Sequence, residues 1–597
     1  MAEFLQQQEG IIDFDIFING SKIKDTVEVQ EIMIEMEVNR IGLASIIIQD
    51  GGAIGVVSEP FTNSESNDFI PGNDIEIALG YTDETKKVFK GIILSQRLLV
   101  KGDKSQLIIT CQDKAVHLTQ GRHNAIFQNM KDSDAIKSIV SKYGLDFDMD
   151  TTNYEHPSLV QYNCTDWDYI VMRAEANNMI VHTNQNKLSI KKINFLREPQ
   201  YEIKSSQFVI DIDLSLESKN ISGAYKMSSW DSNSQEVLSS SIQIQDSLNQ
   251  GNITAKKIAT TLNKSHDSYS SAPISKTEMD THLQSFANSA VLNKVRGKIT
   301  VPGNTKIIAG DIIKLSEFSS RFNGKAYISK VEHSLRDGEW LTILHVGKDL
   351  NSHASLPDIE EFGASGLLPA IRGTQIATVK KTFEDPDNNF RVLVTLPTFS
   401  GAGQEEGIWA RMALPYASAD AGYFFFPEVG DEVLLTFMND DPRFPVIFGA
   451  LYSAKNKAKE TPAEKNQFKS IYSKSGIHIT FDDEDKILTI ETPDMNTIVL
   501  DDKNKSISIQ DLNENSILMN ESGITIKTSK DLNLNADGSI NIKATSNLAM
   551  SATADATLDG QNITQSAQTS FTAKGNASAE LSASGQTTVK GAMVMIN

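Results

Sequence analysis

A chain of 597 residues has room for about four domains, and with 40% hydrophobic and 22% charged residues it has the balance of a soluble folded protein. A formal net charge of -21 argues against general affinity for polyanions, so nucleic acid and anionic membrane surfaces are set aside as partners. Two cysteines, Cys111 and Cys164, cannot make a disulfide framework or a four-cysteine zinc site, and they read as buried core thiols.

The first ten residues carry no basic side chain, and no apolar stretch of signal-peptide length follows them. No run of about 18 apolar residues occurs. The expectation is a protein made and folded in the cytoplasm, carried out, if it leaves, by something larger.

From Ile11 to Thr110 the sequence alternates and is rich in β-branched residues: Ile16-Phe17-Ile18, Ile46-Ile47-Ile48, Ile75 to Leu79 and Leu107-Ile108-Ile109 predict short strands of a barrel or sandwich. A helix follows from Asp132 to Tyr143, with Ala135, Ile136, Ile139 and Val140 at helical spacing and a stop at Gly144. A second begins at Thr165, with Asp168 three positions on as a cap partner. Met179 to Lys192 predicts a hairpin turning at Asn184-Gln185-Asn186. A polar stretch holds one helix near Asn252 to Asn263, and strands return from Val295 to Val346. Residues 1–355 thus read as two β-barrels with helical inserts, and 356–372, rich in Gly, Pro and Ala, as a linker.

Residues 373–452 contain five strand candidates: Gln375–Lys380, Phe390–Leu396, Ile408–Ala413, Glu432–Met438 and Val446–Leu451. Five short strands in about 80 residues suit an OB-fold barrel. Five basic residues against eleven acidic ones oppose a phosphate-tracking groove. The run Tyr423-Phe424-Phe425-Phe426 is therefore assigned to barrel core or subunit contact. Residues 453–472 read as a second linker.

After Ser473 the composition turns to Ser, Thr, Ala, Asn, Asp and Lys, but a beat persists. Apolar pairs two apart occur at Ile524/Ile526, Leu532/Leu534, Ile540/Ile542, Leu548/Met550 and Ala556/Leu558, each eight residues after the last. Upstream, Ile477/Ile479, Leu488/Ile490, Ile498/Leu500, Ile507/Ile509 and Ile517/Met519 recur at seven to eleven residues; downstream the register slips by one and resumes at Ile563, Phe571, Ala579 and Thr587. Residues two apart in a strand share a face, so each repeat is a short strand with a narrow apolar side. Two such side chains per repeat cannot enclose a core in one chain. The expectation for 473–597 is an intertwined, triple-stranded β-helix with Ile524, Ile526, Leu532, Leu534, Ile540, Ile542, Leu548, Met550 and Leu558 at the trimer core. At about 4.8 Å per repeat, roughly fifteen repeats give a needle of about 70 Å.

No His-Glu-x-x-His pair, Gly-x-Ser-x-Gly elbow or Walker loop occurs, and no catalytic, cofactor-binding or metal-ligating residue is assigned; a structural metal on the needle axis is left open. Asp482-Asp483-Glu484-Asp485 reads as a solvated turn and His478 as outward-facing surface.

The segment Gly422 to Val433, with Pro427, Glu428, Val429, Gly430 and Asp431, then Asn439-Asp440-Asp441-Pro442-Arg443-Phe444-Pro445-Val446 and Gly449 to Tyr452, resembles the OB-domain signature of the VgrG (valine-glycine repeat) spike family. Gln161 to Tyr169 and Arg173 to Asn177 resemble that family's hub helix. The resemblance implies a non-enzymatic homotrimer that joins baseplate hub proteins and a hexameric inner tube to a needle. Met593, Val594, Met595, Ile596 and Asn597 would then seat a PAAR-like conical tip protein, because the last layer of a β-helix leaves apolar and backbone groups unpaired. It implies assembly into a phage-tail-like particle, released or fired outside the cell, that meets the target membrane only on firing. The Asn-Asp-Asp-Pro and Tyr-Phe-Phe-Phe-Pro details resemble extracellular phage-tail-like systems more than the type VI branch, and neither a lysozyme insertion nor a trailing effector has room. The competing expectations are a trimeric tail fibre that binds surface glycans and a spike bearing a peptidoglycan hydrolase.

Overall fold

Burial alternates along the strands of the N-terminal part: Ile32, Ile34 and Met36 on Val29–Glu37 and Ala44, Ile46 and Ile48 on Leu43–Gln49 point inward while their neighbours face out, as a two-residue side-chain period requires. The computed structural model describes residues 2–5, 10–52, 60–82, 84–102, 104–262, 265–399 and 406–596. The chain divides into two compact units, Met1–Leu451 and Tyr452–Asn597.

The first unit is built on a 14-stranded sheet. In place of two separate barrels ahead of residue 355, this one sheet carries two distinct apolar cores. One gathers Ile16, Ile32, Ile46, Ile77, Phe89 and Ile109; the other gathers Ile299, Ile313, Ala326, Ile328 and Leu344. The join is the 13-residue strand Gly324–Arg336, whose first part pairs with Ile312–Ser316 and whose second part pairs with Val29–Glu37, with a register shift between Ile328 and Lys330. A strand this long serves both cores, so one continuous sheet runs through them.

Four α-helices pack beside the sheet among the described residues. Helix α1 (Asp132–Val140) runs through a short 3-10 turn to Tyr143 and stops at Gly144, whose φ of 63° is left-handed. Helix α2 (Asp166–Ala176) is capped by the Thr165 hydroxyl, which accepts from the Asp168 N–H. The hairpin Met179–Asn184/Lys187–Lys192 turns through Gln185 and Asn186, both at positive φ, as a two-residue hairpin favours. Helix α3 (Ala255–Leu262) lies where one helix was expected; Asn263 falls outside the described residues. Helix α4 (Lys276–Asn293) was not expected, nor was the three-stranded sheet of Ala224–Asp231, Glu236–Gln243 and Ser265–Ser270. At the end of α4 the fully buried Lys294 ammonium bonds to Asp246 and to the Gln250 carbonyl at 2.8 Å, fastening the preceding loop to the sheet.

Residues 356–372 contain no strand but are not slack. Ile359 and Ala364 are buried, Arg122 donates to the carbonyls of Asp358 and Ile359 at 2.9 and 2.8 Å, and the Ile371 N–H donates to the Asp440 carbonyl at 2.9 Å. The five expected strands of the next segment close into a barrel: Gln375–Lys381, Arg391–Thr395, Ile408–Met412, Pro445–Ala450 and Glu432–Phe437 around Ala377, Val379, Val392, Val394, Ala410, Val433, Leu435 and Ile447. Asp385 holds the first turn by accepting from Arg391 and from the Asn389 N–H at 2.7 Å. Of the aromatic run, only Phe426 packs on the core; Tyr423, Phe424 and Phe425 are 53%, 75% and 59% exposed, which corrects the core half of that expectation.

Candidate assembly surfaces

The second unit opens with seven short antiparallel strands, Phe468–Tyr472, His478–Asp482, Ile487–Glu491, Thr497–Asp501, Ser506–Gln510, Ser516–Asn520 and Gly523–Lys527, each paired with the next. Their register sets two apolar rows on one face. Ile471, Ile479, Ile490, Ile498, Ile509, Ile517 and Ile526 stand directly opposite one another in succession, and beside them run Phe481, Leu488, Leu500, Ile507, Met519 and Ile524. Directly opposed β-branched pairs are the unit of sheet stabilisation, yet this face is not covered within the chain: Ile490, Ile498, Ile507 and Ile509 remain 36 to 43% exposed.

Two details differ from the sequence reading. The hydrogen-bonding neighbours of these strands come from the same chain, because successive repeats reverse direction. In the first repeat the inward pair is Ile479/Phe481; Ile477 lies in the turn before the strand. His478, on the opposite face, stacks on Tyr472 with ring centroids 4.4 Å apart.

Beyond Lys527 the chain shows no intrachain strand pairing among the described residues and bends at 529–530, 537–538, 545–546, 553–554, 561, 568–569, 576–577, 584–585 and 592–593. The spacing is eight residues, with one step of seven after 561, where the sequence beat slips. Each assigned pair falls between two bends. Ile524 and Ile526, in the last strand, are 70% and 55% exposed, and Leu532, Leu534, Ile540, Ile542, Leu548, Met550 and Leu558 all exceed half exposure. Met593, Val594, Met595 and Ile596 are exposed at the end; Asn597 lies outside the described residues.

The acidic cluster forms a turn after His478–Asp482, with the Asp482 carboxylate accepting from the Glu484 N–H at 3.0 Å, and Asp483 and Asp485 paired to Lys469 and Lys503 at 2.9 and 2.7 Å. Among the described residues no group of three His, Cys, Asp or Glu side chains is placed to hold a metal ion, and no helix is long and apolar enough to cross a membrane.

The polar lattice around α2 has no local signature in the sequence. Arg173 grips the buried Asp132 with both arms of its guanidinium, and Asn177 and His156 approach the same carboxylate at 2.9 Å. Burial works to raise the Asp132 pKa, but the bonds from Arg173 outweigh it and hold it below the usual carboxylate range. Glu175 accepts from Asn39 at 2.7 Å and from the His353 N–H at 2.8 Å, and Asp168 meets the His353 ring at 2.9 Å. One helix thus fixes the early sheet, α1 and the segment leading to the barrel. Cys111 and Cys164 are both buried and unpaired, and burial pushes the Cys111 thiol up to about 12.

Two families match the chain. One, described as the Alg8 N-terminal domain, covers residues 8–337, more than half its length; the other, described as the type VI secretion system/phage-baseplate injector OB domain, covers residues 375–452. A type VI secretion system spike protein, VgrG3, of Vibrio cholerae is 36% identical over 95 residues, 15% of this chain and 9% of the relative. The spike protein VgrG1b of Pseudomonas aeruginosa is 29% identical over 130 residues, 20% and 18% of the two lengths. The chain therefore spans less than a fifth of either relative. A 43 kDa tail protein of prophage MuSo2 from Shewanella oneidensis aligns with 56% of this chain and 98% of its own, at 9% identity and a TM-score of 0.45. With the Alg8 N-terminal domain matched over residues 8–337, more than half of its length, the chain belongs to that family, and its residues 375–452 match the type VI secretion system/phage-baseplate injector OB domain.

Proposed function

We propose that the protein is the non-enzymatic central spike of a contractile injection system, working as a homotrimer whose C-terminal unit is a rigid piercing needle. The observation that carries this reading is the pair of apolar rows from Ile471 to Ile526, continued by octads to the end of the tail and left uncovered by the chain itself. Burying an Ile or Leu side chain contributes about 1.5 to 3 kcal/mol, so a face of this length drives association. Three copies packed about one axis cover it symmetrically, and a closed cyclic assembly leaves no repeating apolar face for further growth.

The first unit then forms the hub that meets the hexameric tube and baseplate proteins, residues 356–372 and 453–467 are connectors, the second shorter than the sequence suggests because Phe468–Tyr472 already pairs into the sheet, and Met593 to Asn597 seat a conical tip protein. The particle acts outside the cell, in the manner of extracellular phage-tail-like systems. Sedimentation of the full chain at micromolar concentration tests this reading. Three times the 65.7 kDa chain mass is the expected result, with a ring bearing a spike in electron micrographs. A single-chain mass with no spike would overturn it.

A further inference from the structure

Beyond the hairpins the second unit keeps one phase. Each repeat pair stands two and four residues after the bend before it: Leu532/Leu534 after 530, Ile540/Ile542 after 538, Leu548/Met550 after 546 and Ala556/Leu558 after 554. The phase survives the one shortened step, which brings Ile563 seven residues after Ala556, and it continues at Phe571/Ala573 after 569, Ala579/Leu581 after 577 and Thr587/Val589 after 585. After the bend at 561 it selects Ile563 and Gln565. From Leu534 to Val589 every other residue in the second place of a pair is apolar, so Gln565 alone puts a carboxamide there. Thr587, in the first place of its pair, departs less, because its methyl group is apolar and its hydroxyl can bond to nearby backbone.

Octads built on Leu/Leu, Ile/Ile and Leu/Met pairs are nearly interchangeable. A copy whose tail is displaced by one octad therefore keeps most of its apolar contact, and register is weakly specified. A carboxamide behaves differently. It has two N–H donors and an acceptor oxygen, and it is costly to bury among aliphatic side chains without partners. When three copies bring Gln565 to the same layer, each amide can donate to the oxygen of the next around the axis and close a ring. A displaced copy sets its Gln565 against Leu558 or Ala573 of its neighbours and leaves amides without partners. The shortened step leads into the same repeat, so that copy would also turn out of phase there. We infer that Gln565 is the register-setting residue of the tail, a polar layer whose partners are the same residue in two further copies of this chain. A single polar residue at a core position can fix register at some cost in stability. Such a layer does not find the alignment; it penalises those that are wrong. The inference rests on the three-fold reading of the needle and goes beyond it by naming the layer that sorts correct from displaced copies.

The test co-expresses the full-length chain with one lacking the octad 541–548, under different affinity tags, and counts mixed trimers by native mass spectrometry. Two differently tagged full-length chains give the baseline for mixing. In a mixed trimer the hairpins align while Gln565 of the shortened copy arrives one layer early. Mixed trimers should fall about tenfold below the baseline, the ratio expected when buried amides lose their partners. Gln565→Leu in both chains should restore them by about threefold or more, the shortened step accounting for the remainder, and should leave the melting temperature of the pure trimer unchanged or higher. Mixing at the baseline with Gln565 in place, depletion that Gln565→Leu does not relieve, or a Gln565→Leu protein that no longer forms trimers would each overturn the assignment. A single-chain mass for the unaltered full-length protein would instead overturn the three-fold reading, and this inference with it.

Discussion

Ile490 and Ile498 stand directly opposite one another in adjacent antiparallel strands of the second unit, the midpoint of an unbroken isoleucine row that one chain leaves open to solvent. A charge placed in that row is tolerable in a lone chain and intolerable at a shared axis. Ile498→Asp should therefore leave the secondary structure of the first unit intact while shifting the protein from trimer to monomer in sedimentation. An unchanged trimer would remove Ile498 from the interior.

The same logic applies farther along. Ile540→Asp would bring three carboxylates to one layer without partners, where an uncompensated buried charge costs several kcal/mol. The expected outcome is loss of trimer or a tail cut by protease near residue 540; the outward substitution Asn541→Asp should change neither.

Lys294 offers a test of the first unit. Removing one partner of a buried, bonded ion pair typically costs about 3 to 5 kcal/mol. Lys294→Ala should lower the melting transition of the first unit by several degrees and leave that of the second unit in place, as followed by calorimetry. A loss no larger than that of a surface lysine such as Lys219 would show that the pair with Asp246 contributes little.

Acid should weaken the first unit through two histidines. Burial alone holds His182 and His333 at about 4, below the ordinary 6.5, so both are neutral in the fold. Their contribution is complete above pH 6.5 and is lost as pH falls from there toward 4, because the unfolded chain takes up the protons first; at full shift each is worth roughly 3 kcal/mol. Denaturation midpoints at pH 7, 5 and 4 should fall in that order, and His333→Gln should flatten the decline by about half.

Ala364 and Ser365 are consecutive non-glycine residues at φ of 56° and 53°, in the connector that touches the barrel loop. A left-handed residue with a Cβ costs about 1 to 2 kcal/mol, more than glycine loses in chain entropy. Ser365→Gly should leave the melting temperature unchanged or raise it, whereas Ser508→Gly, in a regular strand, should lower it.

Strand and helix positions were legible wherever period and punctuation agreed. Gly144 closes α1 and Thr165 opens α2 as their chemistry requires. Helix α4 was missed because its polar residues outweigh Met279, Leu283, Ala287 and Val291, although Ser275 and Glu278 form a full capping box that could have announced it. The continuous sheet of the first unit was hidden because pairing between Lys330 and Glu37 joins residues too far apart for any local pattern to record. The reversal of strands in the second unit was in the spacing all along. From Ile471 to Ile517 the row steps by 8 and 11 residues in alternation, the mark of hairpins that turn at opposite ends, whereas the step of eight beyond Ile524, broken once by a step of seven, marks a chain that advances without turning back. The α2 lattice was not legible, because single charged residues scattered from Asp132 to His353 meet only in three dimensions.

The strands from Phe468 to Lys527 pair with one another, while the stretch after them has no strand pairing within its own chain among the described residues. On the three-fold reading this sets an order of assembly. Each newly made chain can finish the hairpins alone, three finished sheets then align their isoleucines, and that alignment sets the phase in which the trailing octads interlock, layer by layer, toward Met595. The hairpins act as the slider of a zip fastener, and a chain lacking them would have to find its register by chance.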